Sequence, residues 1–289
     1  MTTLSPEDLS KNINPEITYW NYIRIDELLT LQRTITKYPD ENAFIIYHQI
    51  AELYFKLILN EIEQILDVPN PQESFYIEKI ERIILHFRSI VNCINTMPNG
   101  IDKNQFLRFR QKLGSASGFQ SLQYRLIELG STDPANLITQ SQTKQINPEN
   151  LNEVTENLYW KTGSTDPINE KKTKTLRLFE NEYSELIQKA VIKSQNNNIW
   201  KIFLTQFSHN SNKYEITDKL REFDNIANNT WPSAHLNISA HYLIDNESEA
   251  VSSTGSTNWR KYLSPEFHKI IFFPELWTME EKLNWGKKV

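Results

Sequence analysis

The chain has 289 residues, of which 39% are hydrophobic and 11% aromatic, and this is enough apolar side chain for a sizeable core in a single domain spanning residues 1–289. Thirty-one Lys and Arg residues against 36 Asp and Glu residues give a net charge of -5, which argues against a nucleic-acid partner. No apolar run reaches the roughly 20 residues of a membrane span and no secretion signal begins the chain, so we expect a cytoplasmic protein without a membrane partner.

Several common chemistries are excluded by what the sequence lacks. Its one cysteine, Cys93, cannot form an internal disulfide, a zinc ribbon or a covalent haem attachment, so any haem must be held non-covalently. The seven glycines form neither a dinucleotide loop nor a triphosphate loop. The motifs HExxH, GxSxG and Glu-x-x-His are also missing, which disfavours zinc proteases, α/β-hydrolases and di-iron bundles.

Apolar residues recur at intervals of three and four along most of the chain, and this periodicity predicts an all-α fold. The first strong helix is predicted from about residue 41 to residue 66. One of its faces carries Phe44, His48, Ala51, Phe55, Ile58, Ile62 and Ile65. A histidine on such a face is most often a core residue that hydrogen-bonds a carbonyl, so periodicity alone favours a structural role for His48.

A second helix is predicted over residues 75–97, where the sequence MPNG ends it with a proline and a turn dipeptide. We expect this helix and the first to pack as an antiparallel pair.

A third helix is predicted to begin at Asp102 and to continue through FLRFRQKL. Gln105 lies three residues after Asp102, which suggests a capping box in which each side chain caps the other's backbone. Phe106 and Arg110 share one face of this helix. Burying an arginine is costly unless an anion meets it, and that anion is either a structural Asp or Glu or the carboxylate of a substrate.

The sequence GSASG then breaks the helical pattern, and FQSLQYRLIEL resumes it. Further helices are predicted near residues 151–160, 176–192, 199–207, 214–227 and 231–244. In the last of these, Trp231, His235, Ile238 and Tyr242 form one stripe, and His241 is a rival histidine nearby. Two imidazoles on apolar faces, His48 and His235, could clamp a flat cofactor, but periodicity leaves this open.

Six segments together resemble the tryptophan 2,3-dioxygenase family. They are YWNYIRIDELLTLQ (19–32), FIIYHQIAELYFKLILNEI (44–62), FLRFRQKLGSASGFQSLQYRLIE (106–128), WPSAH (231–235), STGSTNWRKYL (253–263) and FFPELW (272–277). They occur in the order found in the family, and the two central blocks match over more than forty residues. The resemblance implies an all-helical fold of the tryptophan and indoleamine dioxygenase type, with haem b between helices and O2 as co-substrate.

The resemblance also implies a role for each matching position. His235 falls on the axial haem ligand, with His241 as the alternative, and His48 falls on the catalytic histidine beside the indole N–H. Phe44 and Phe106 fall on aromatic pocket walls, and Arg110 on the arginine that grips the substrate carboxylate. Ser117 and Thr254 fall on residues near the polar end of the amino acid.

Tyr19, Tyr22 and Ile23 fall on a segment that, in the family, reaches a neighbouring subunit's site. The resemblance therefore implies a homotetramer in which residues 1–35 contact a neighbour.

The substrate loop reads STGSTNW, with Ser256 and Asn258 where the family has glycines, so we expect a stiffer loop. The leading hypothesis is oxidation of L-tryptophan or a substituted tryptophan to N-formylkynurenine by insertion of both oxygen atoms. The alternatives are a haem monooxygenase of an aromatic amino acid and a binding protein without turnover.

Overall fold

The computed structural model describes residues 17–114, 116–138, 146–147, 149–162, 164–165, 171–211, 213–244 and 263–287. Within these ranges the chain is helical and has no β-strand, so the prediction of an all-α fold is confirmed. No helix in the described ranges has enough apolar length to cross a lipid bilayer.

The α-helices are α1 (Tyr19–Ile23), α2 (Ile25–Leu28), α3 (Asp40–Leu66), α4 (Glu73–Asn95), α5 (Met97–Gly100), α6 (Lys103–Phe109), α7 (Leu122–Ser131), α8 (Leu151–Glu156), α9 (Tyr159–Thr162), α10 (Lys174–Asn196), α11 (Ile199–Ile202), α12 (Lys213–Asn225), α13 (Trp231–Leu243), α14 (Pro265–His268) and α15 (Met279–Leu283). Short 3-10 turns cover Arg110–Lys112, Gly118–Gln120, Pro134–Leu137 and Pro274–Leu276. Helices α3 and α4 pack on each other, and α6, α7, α11, α12 and α13 pack on this pair. Helix α10, which is as long as α4, packs on α7 and α8 instead.

Helices α3 and α4 pack as the predicted antiparallel pair. Phe55 in the middle of α3 contacts Phe87 of α4 with 6.5 Å between ring centroids. Glu61, near the end of α3, pairs at 2.7 Å with Lys79, near the start of α4. The core between these helices consists of fully buried apolar side chains, among them Ile58, Ile62, Ile65, Ile80, Ile83, Phe87 and Ile90. Each such side chain stabilises the fold by roughly 1.5–3 kcal/mol relative to exposure.

Helix α7 approaches α3 closely because it carries a glycine at the contact. A Cβ atom on Gly130 would lie only 2.8 Å from Cγ2 of Ile62. Near the start of α7, Tyr124 packs on Phe55 at 5.3 Å between ring centroids. The side-chain amide of Gln123 on α7 also donates to the Glu52 carboxylate on α3 at 2.8 Å.

The third predicted helix is shorter than expected and is capped differently. The α-helix ends at Phe109 and continues only as a 3-10 turn. Asp102 does cap it, because its carboxylate accepts the backbone N–H of Gln105 at 2.9 Å. The reciprocal half of the predicted capping box is wrong: the Gln105 side chain accepts the N–H of Asp40 at 3.2 Å instead. The first turn of α3 lies next to α6 and presents an N–H that has no partner within its own helix.

The sequence MPNG, predicted only to end the second helix, forms the short helix α5.

Two π-helical turns interrupt regions where the periodicity predicts ordinary helix. They cover Phe203–Phe207 and Ile226–Thr230, and the second leads directly into α13. The hydroxyl of Tyr124 donates to the Ala227 carbonyl within this second turn at 2.9 Å. A π turn shifts the residues that follow it around the helix axis, so this one helps to determine which face of α13 points inward.

The segment after α14 is anchored by a fully buried carboxylate, Asp224, at the end of α12. Asp224 accepts the backbone N–H groups of Phe272 at 2.9 Å and Phe273 at 3.0 Å. It also accepts the indole N–H of Trp277 at 2.9 Å and the side-chain amide of Asn228 at 2.8 Å. Burial raises the pKa of Asp224 to about 6, against the effect of these donors, so the carboxylate is ionised at neutral pH.

Candidate active site

A cavity of about 370 Å³ lies between α3, α6 and α13. Its volume and its mainly apolar lining with a few polar groups are typical of a site for a cofactor or small molecule. Six of the predicted site residues line it together: Phe44, His48, Phe106, Arg110, Ser117 and His235. The fold therefore gathers positions that are up to 191 residues apart in the numbering of the chain.

The apolar face of α3 that the sequence predicts has two environments. Its second half, from Ile58 to Ile65, is buried against other helices, and the buried Phe55, which also borders the cavity, marks the boundary. Its first half, with Phe44, His48 and Ala51, lines the cavity instead. His48 is therefore not packed in the core as periodicity favours, because its side chain is open to the cavity, although protein surrounds the site.

The hydrogen bond of His48 determines its tautomer. Nδ1 lies 2.8 Å from the carbonyl oxygen of Phe44, and since a carbonyl can only accept, Nδ1 carries the proton. In the neutral ring, Nε2 is then an acceptor. Burial lowers the pKa of His48, an effect that the Phe44 carbonyl and the Glu52 carboxylate partly offset. The ring is thus a neutral acceptor at neutral pH.

His235 lies on the α13 wall of the cavity. Its ring stacks on Trp231 with 6.1 Å between centroids, and it has no hydrogen-bond partner among the residues that the structure describes. A Cβ atom on Gly118 would lie 3.8 Å from its Nε2 atom, so this nitrogen points toward the turn that closes the cavity. Burial and the neighbouring His48 lower the pKa of His235 to about 4, which keeps it neutral.

Aromatic rings and one buried cation form the wall between α3 and α6. The Phe44 and Phe106 rings lie 5.8 Å apart, and Phe106 also packs on Tyr242 at 4.4 Å. Arg110 lies one turn after Phe106 and is only 7% exposed. Burial lowers the pKa of Arg110, yet a guanidinium stays charged in proteins. The wall thus combines an apolar slot with a fixed positive charge.

The turn that follows α6 closes one side of the cavity. Ser117 and Gly118 line it, and the backbone N–H of Ser117 donates to the side chain of Gln120 at 3.0 Å. The amide of Gln120 in turn donates to the carbonyl of Thr175 at 3.2 Å. This chain of bonds fixes the turn that carries Ser117 to the start of α10.

Other predicted site residues lie away from the cavity. His241 is exposed on α13, outside the cavity lining, with its ring against that of Tyr242. Tyr19 and Tyr22 of α1 are 73% and 77% exposed, and Ile23 is also on the surface.

Thr254 and the altered loop with Ser256 and Asn258 lie outside the described residues.

Sequence reasoning missed a buried polar cluster on the same cavity. Arg125 and Glu128 of α7 pair at 3.0 Å, and the Tyr159 hydroxyl donates to Glu128 at 2.5 Å while accepting from Arg125 at 3.0 Å. Burial raises the pKa of Glu128 to about 7, against the lowering effect of Arg125. Tyr159 also contacts the ring of His268 at 4.9 Å. The i, i+3 spacing of Arg125 and Glu128 is a signal for an ion pair, but nothing in the sequence indicates that the pair is buried.

The residues present fit a haem held by one protein ligand. An imidazole whose nitrogen faces an apolar cavity, without a hydrogen bond in the described structure, would suit the iron of such a haem. Across the cavity His48 uses Nδ1 for the Phe44 carbonyl. No cluster of three or more His, Cys, Asp or Glu side chains suited to a bare metal ion occurs in the described ranges.

The chain as a whole is similar to proteins of one family. The family model described as tryptophan 2,3-dioxygenase matches residues 7–229. A protein named tryptophan 2,3-dioxygenase from Geobacillus thermodenitrificans (strain NG80-2) is 29% identical over 281 residues, covering 93% of each chain. One of the same name from Exiguobacterium sibiricum is 27% identical over 96% of each chain. Another from Herpetosiphon aurantiacus is 42% identical over 126 residues, which is 42% of this chain and 48% of that protein.

Proposed function

The chain belongs to the tryptophan 2,3-dioxygenase family of oxidoreductases, and on that basis we propose that it inserts both atoms of O2 across the indole C2–C3 bond of L-tryptophan to give N-formylkynurenine. The observation that carries the proposal is one cavity that holds a neutral acceptor histidine, a second neutral histidine, and a buried arginine beside two phenylalanine rings. Each of these groups has a task in the reaction.

His235 is the residue that would hold a haem b iron. Its nitrogen faces the cavity, and its lowered pKa keeps the lone pair available at neutral pH. The haem, when bound, supplies the binding and activation of O2. Trp231 fixes the plane of the His235 ring by stacking, so the direction of the ligand nitrogen is set by α13 itself.

Arg110 would anchor the substrate by its carboxylate. A guanidinium can meet a carboxylate with two parallel hydrogen bonds, which fixes both distance and orientation. Because Arg110 is almost fully buried, little water competes for this contact.

The indole would lie against the aromatic wall that Phe44 and Phe106 form together. The rings are 5.8 Å apart between centroids and tilted by 47°, so they form an apolar edge rather than a flat stack. His48 then accepts the indole N–H at Nε2, since Nδ1 is occupied by the Phe44 carbonyl. Anchoring at both ends holds the C2–C3 bond in one place, and proximity of this kind lowers the barrier to reaction.

The proposal is tested by counting how many oxygen atoms of O2 appear in the product. Reduced, haem-loaded protein is supplied with tryptophan and 18O2, and the product is analysed by mass spectrometry. We expect two labelled atoms in one product. One labelled atom would instead assign the protein as a monooxygenase, and oxidation of a substituted tryptophan but not tryptophan would change the substrate.

We further propose that the protein works as a homotetramer in which α1 of one subunit completes a neighbour's site. Tyr19, Tyr22 and Ile23 are exposed although they are large and apolar, which is costly for a surface that remains in water. Sedimentation of the purified protein should give the mass of four chains. A monomer with full activity would contradict this proposal.

A further inference from the structure

A closed ring of three hydrogen bonds joins the first turns of α3 and α6. The backbone N–H of Asp40 donates to the side chain of Gln105 at 3.2 Å. The N–H of Gln105 donates to the carboxylate of Asp102 at 2.9 Å, and the N–H of Asp102 donates to the carboxylate of Asp40 at 2.6 Å. Each of these N–H groups lies at a helix start, where the helix itself provides no acceptor.

The ring lies at one end of the two helices that form the substrate wall. One turn beyond Asp40 is Phe44, and the residue after Gln105 is Phe106; these two rings contact each other at 5.8 Å. A further turn along each helix brings the chain to His48 and to Arg110, both on the cavity. Along both helices the hydrogen-bond ring therefore comes first and the Phe44–Phe106 contact second. His48 on α3 and Arg110 after α6 come third.

We infer that Asp40 and Gln105 are positioning residues for substrate recognition, because their ring of hydrogen bonds sets the placement of Arg110 relative to His48. The inference rests on the proposed function, in which these two groups hold opposite ends of one amino acid. Neither Asp40 nor Gln105 lines the cavity, so each acts through the helix that carries it.

Two kinds of contact already hold α6 near α13. Tyr242 packs on Phe106, and the Lys103 ammonium donates to the Ile244 carbonyl at 2.8 Å. These contacts tie α6 to α13, which carries His235. In the part of the chain that the structure describes, the hydrogen-bond ring provides the polar contacts from α6 to α3, which carries His48. Its loss therefore changes one side of the substrate site while leaving the His235 side in place.

The experiment compares Gln105→Ala, Asp40→Ala, the double variant and Asp40→Asn in the haem-loaded full chain. We measure haem per chain, kcat and KM for tryptophan, and the dissociation constant of tryptophan from its shift of the haem absorption band. Asn104→Ala is the matched control, since Asn104 is an exposed amide beside Gln105 on the same helix.

We expect each alanine variant to raise KM and the dissociation constant roughly three- to tenfold, with haem content unchanged. The double variant should be no worse than the poorer single one, because both break the same ring. Asp40→Asn keeps an acceptor oxygen and should restore values within about twofold of the wild type.

Unchanged affinity in both alanine variants, or a parallel loss of haem, would overturn the inference. If Gln105→Ala does not fold, the comparison of Asp40→Ala with Asp40→Asn tests the inference by itself. Wild-type protein that does not oxidise tryptophan contradicts the proposed function, whereas active wild type with unaltered variants contradicts only the positioning role.

Discussion

The two ring nitrogens of His48 have different surroundings, and this difference explains why the residue suits a substrate with an N–H group. The Phe44 carbonyl holds the proton on Nδ1 at 2.8 Å, leaving a lone pair on Nε2. Protonation would convert Nε2 from an acceptor to a donor facing another donor. Recognition of an indole N–H therefore depends on the neutral ring.

The pH dependence of the reaction follows from the lowered pKa of His48. Because burial places it below the ordinary value of 6.5, the acceptor form is present above pH 6.5 and is lost only as the pH falls through the lowered value. We expect kcat/KM for tryptophan to be flat down to about pH 6.5 and to decline below it. A His48→Ala variant should lack this acid limb. A decline that begins well above pH 6.5 would contradict the assignment of His48.

Arg110 provides a second prediction at the scale of single residues. Replacing it by alanine removes a charged hydrogen-bonding anchor worth roughly 1.5–3 kcal/mol, so the dissociation constant of tryptophan should rise about 10- to 100-fold while haem content stays the same. Arg108→Ala is the control, since Arg108 is an exposed arginine two residues earlier in α6, and it should bind like the wild type. Equal affinity in the Arg110 variant would favour a binding protein that does not recognise amino acids.

Among the helices, α3 shows what periodicity predicts and what it leaves open. A three-and-four repeat identifies the inward face from Phe44 to Ile65, but it does not distinguish a packed core from a cavity wall. That difference depends on what lies opposite. Opposite Phe55 are the packed rings of Phe87 and Tyr124, whereas opposite His48 is the space between α6 and α13.

The Asp224 anchor gives a prediction at the scale of helices and segments. Its removal leaves four donors from the C-terminal segment and the π turn without their acceptor. We expect Asp224→Ala to lower the free energy of unfolding by about 3 kcal/mol in denaturant titrations. Asp218→Ala is the control, since Asp218 is exposed on the same helix, and it should change stability by less than about 0.5 kcal/mol. Equal free energies of unfolding for Asp224→Ala and Asp218→Ala would contradict the role of Asp224 as the anchor of the C-terminal segment.

For the molecule as a whole, the sequence predicts the helical class, the antiparallel pairing of α3 with α4 and six of the residues that line the cavity. These features can be predicted because they depend on local periodicity or on matched motifs such as FIIYHQIAELYFK. The polar links between distant segments could not be predicted. Gln105 bonds Asp40 rather than Asp102, and Asp224 bonds Phe272, because the geometry of the fold, not the spacing along the chain, supplies the partner.

We propose that one imidazole, His235, would hold a haem inside the cavity that His48 also lines. Apoprotein titrated with haem should develop a Soret band that saturates at one haem per chain. The same titration should show no stable complex for His235→Ala and a complex like that of the wild type for His241→Ala. Wild-type protein without a Soret band, or haem binding that survives loss of His235 and disappears with loss of His241, would contradict the assignment of His235 as the haem ligand.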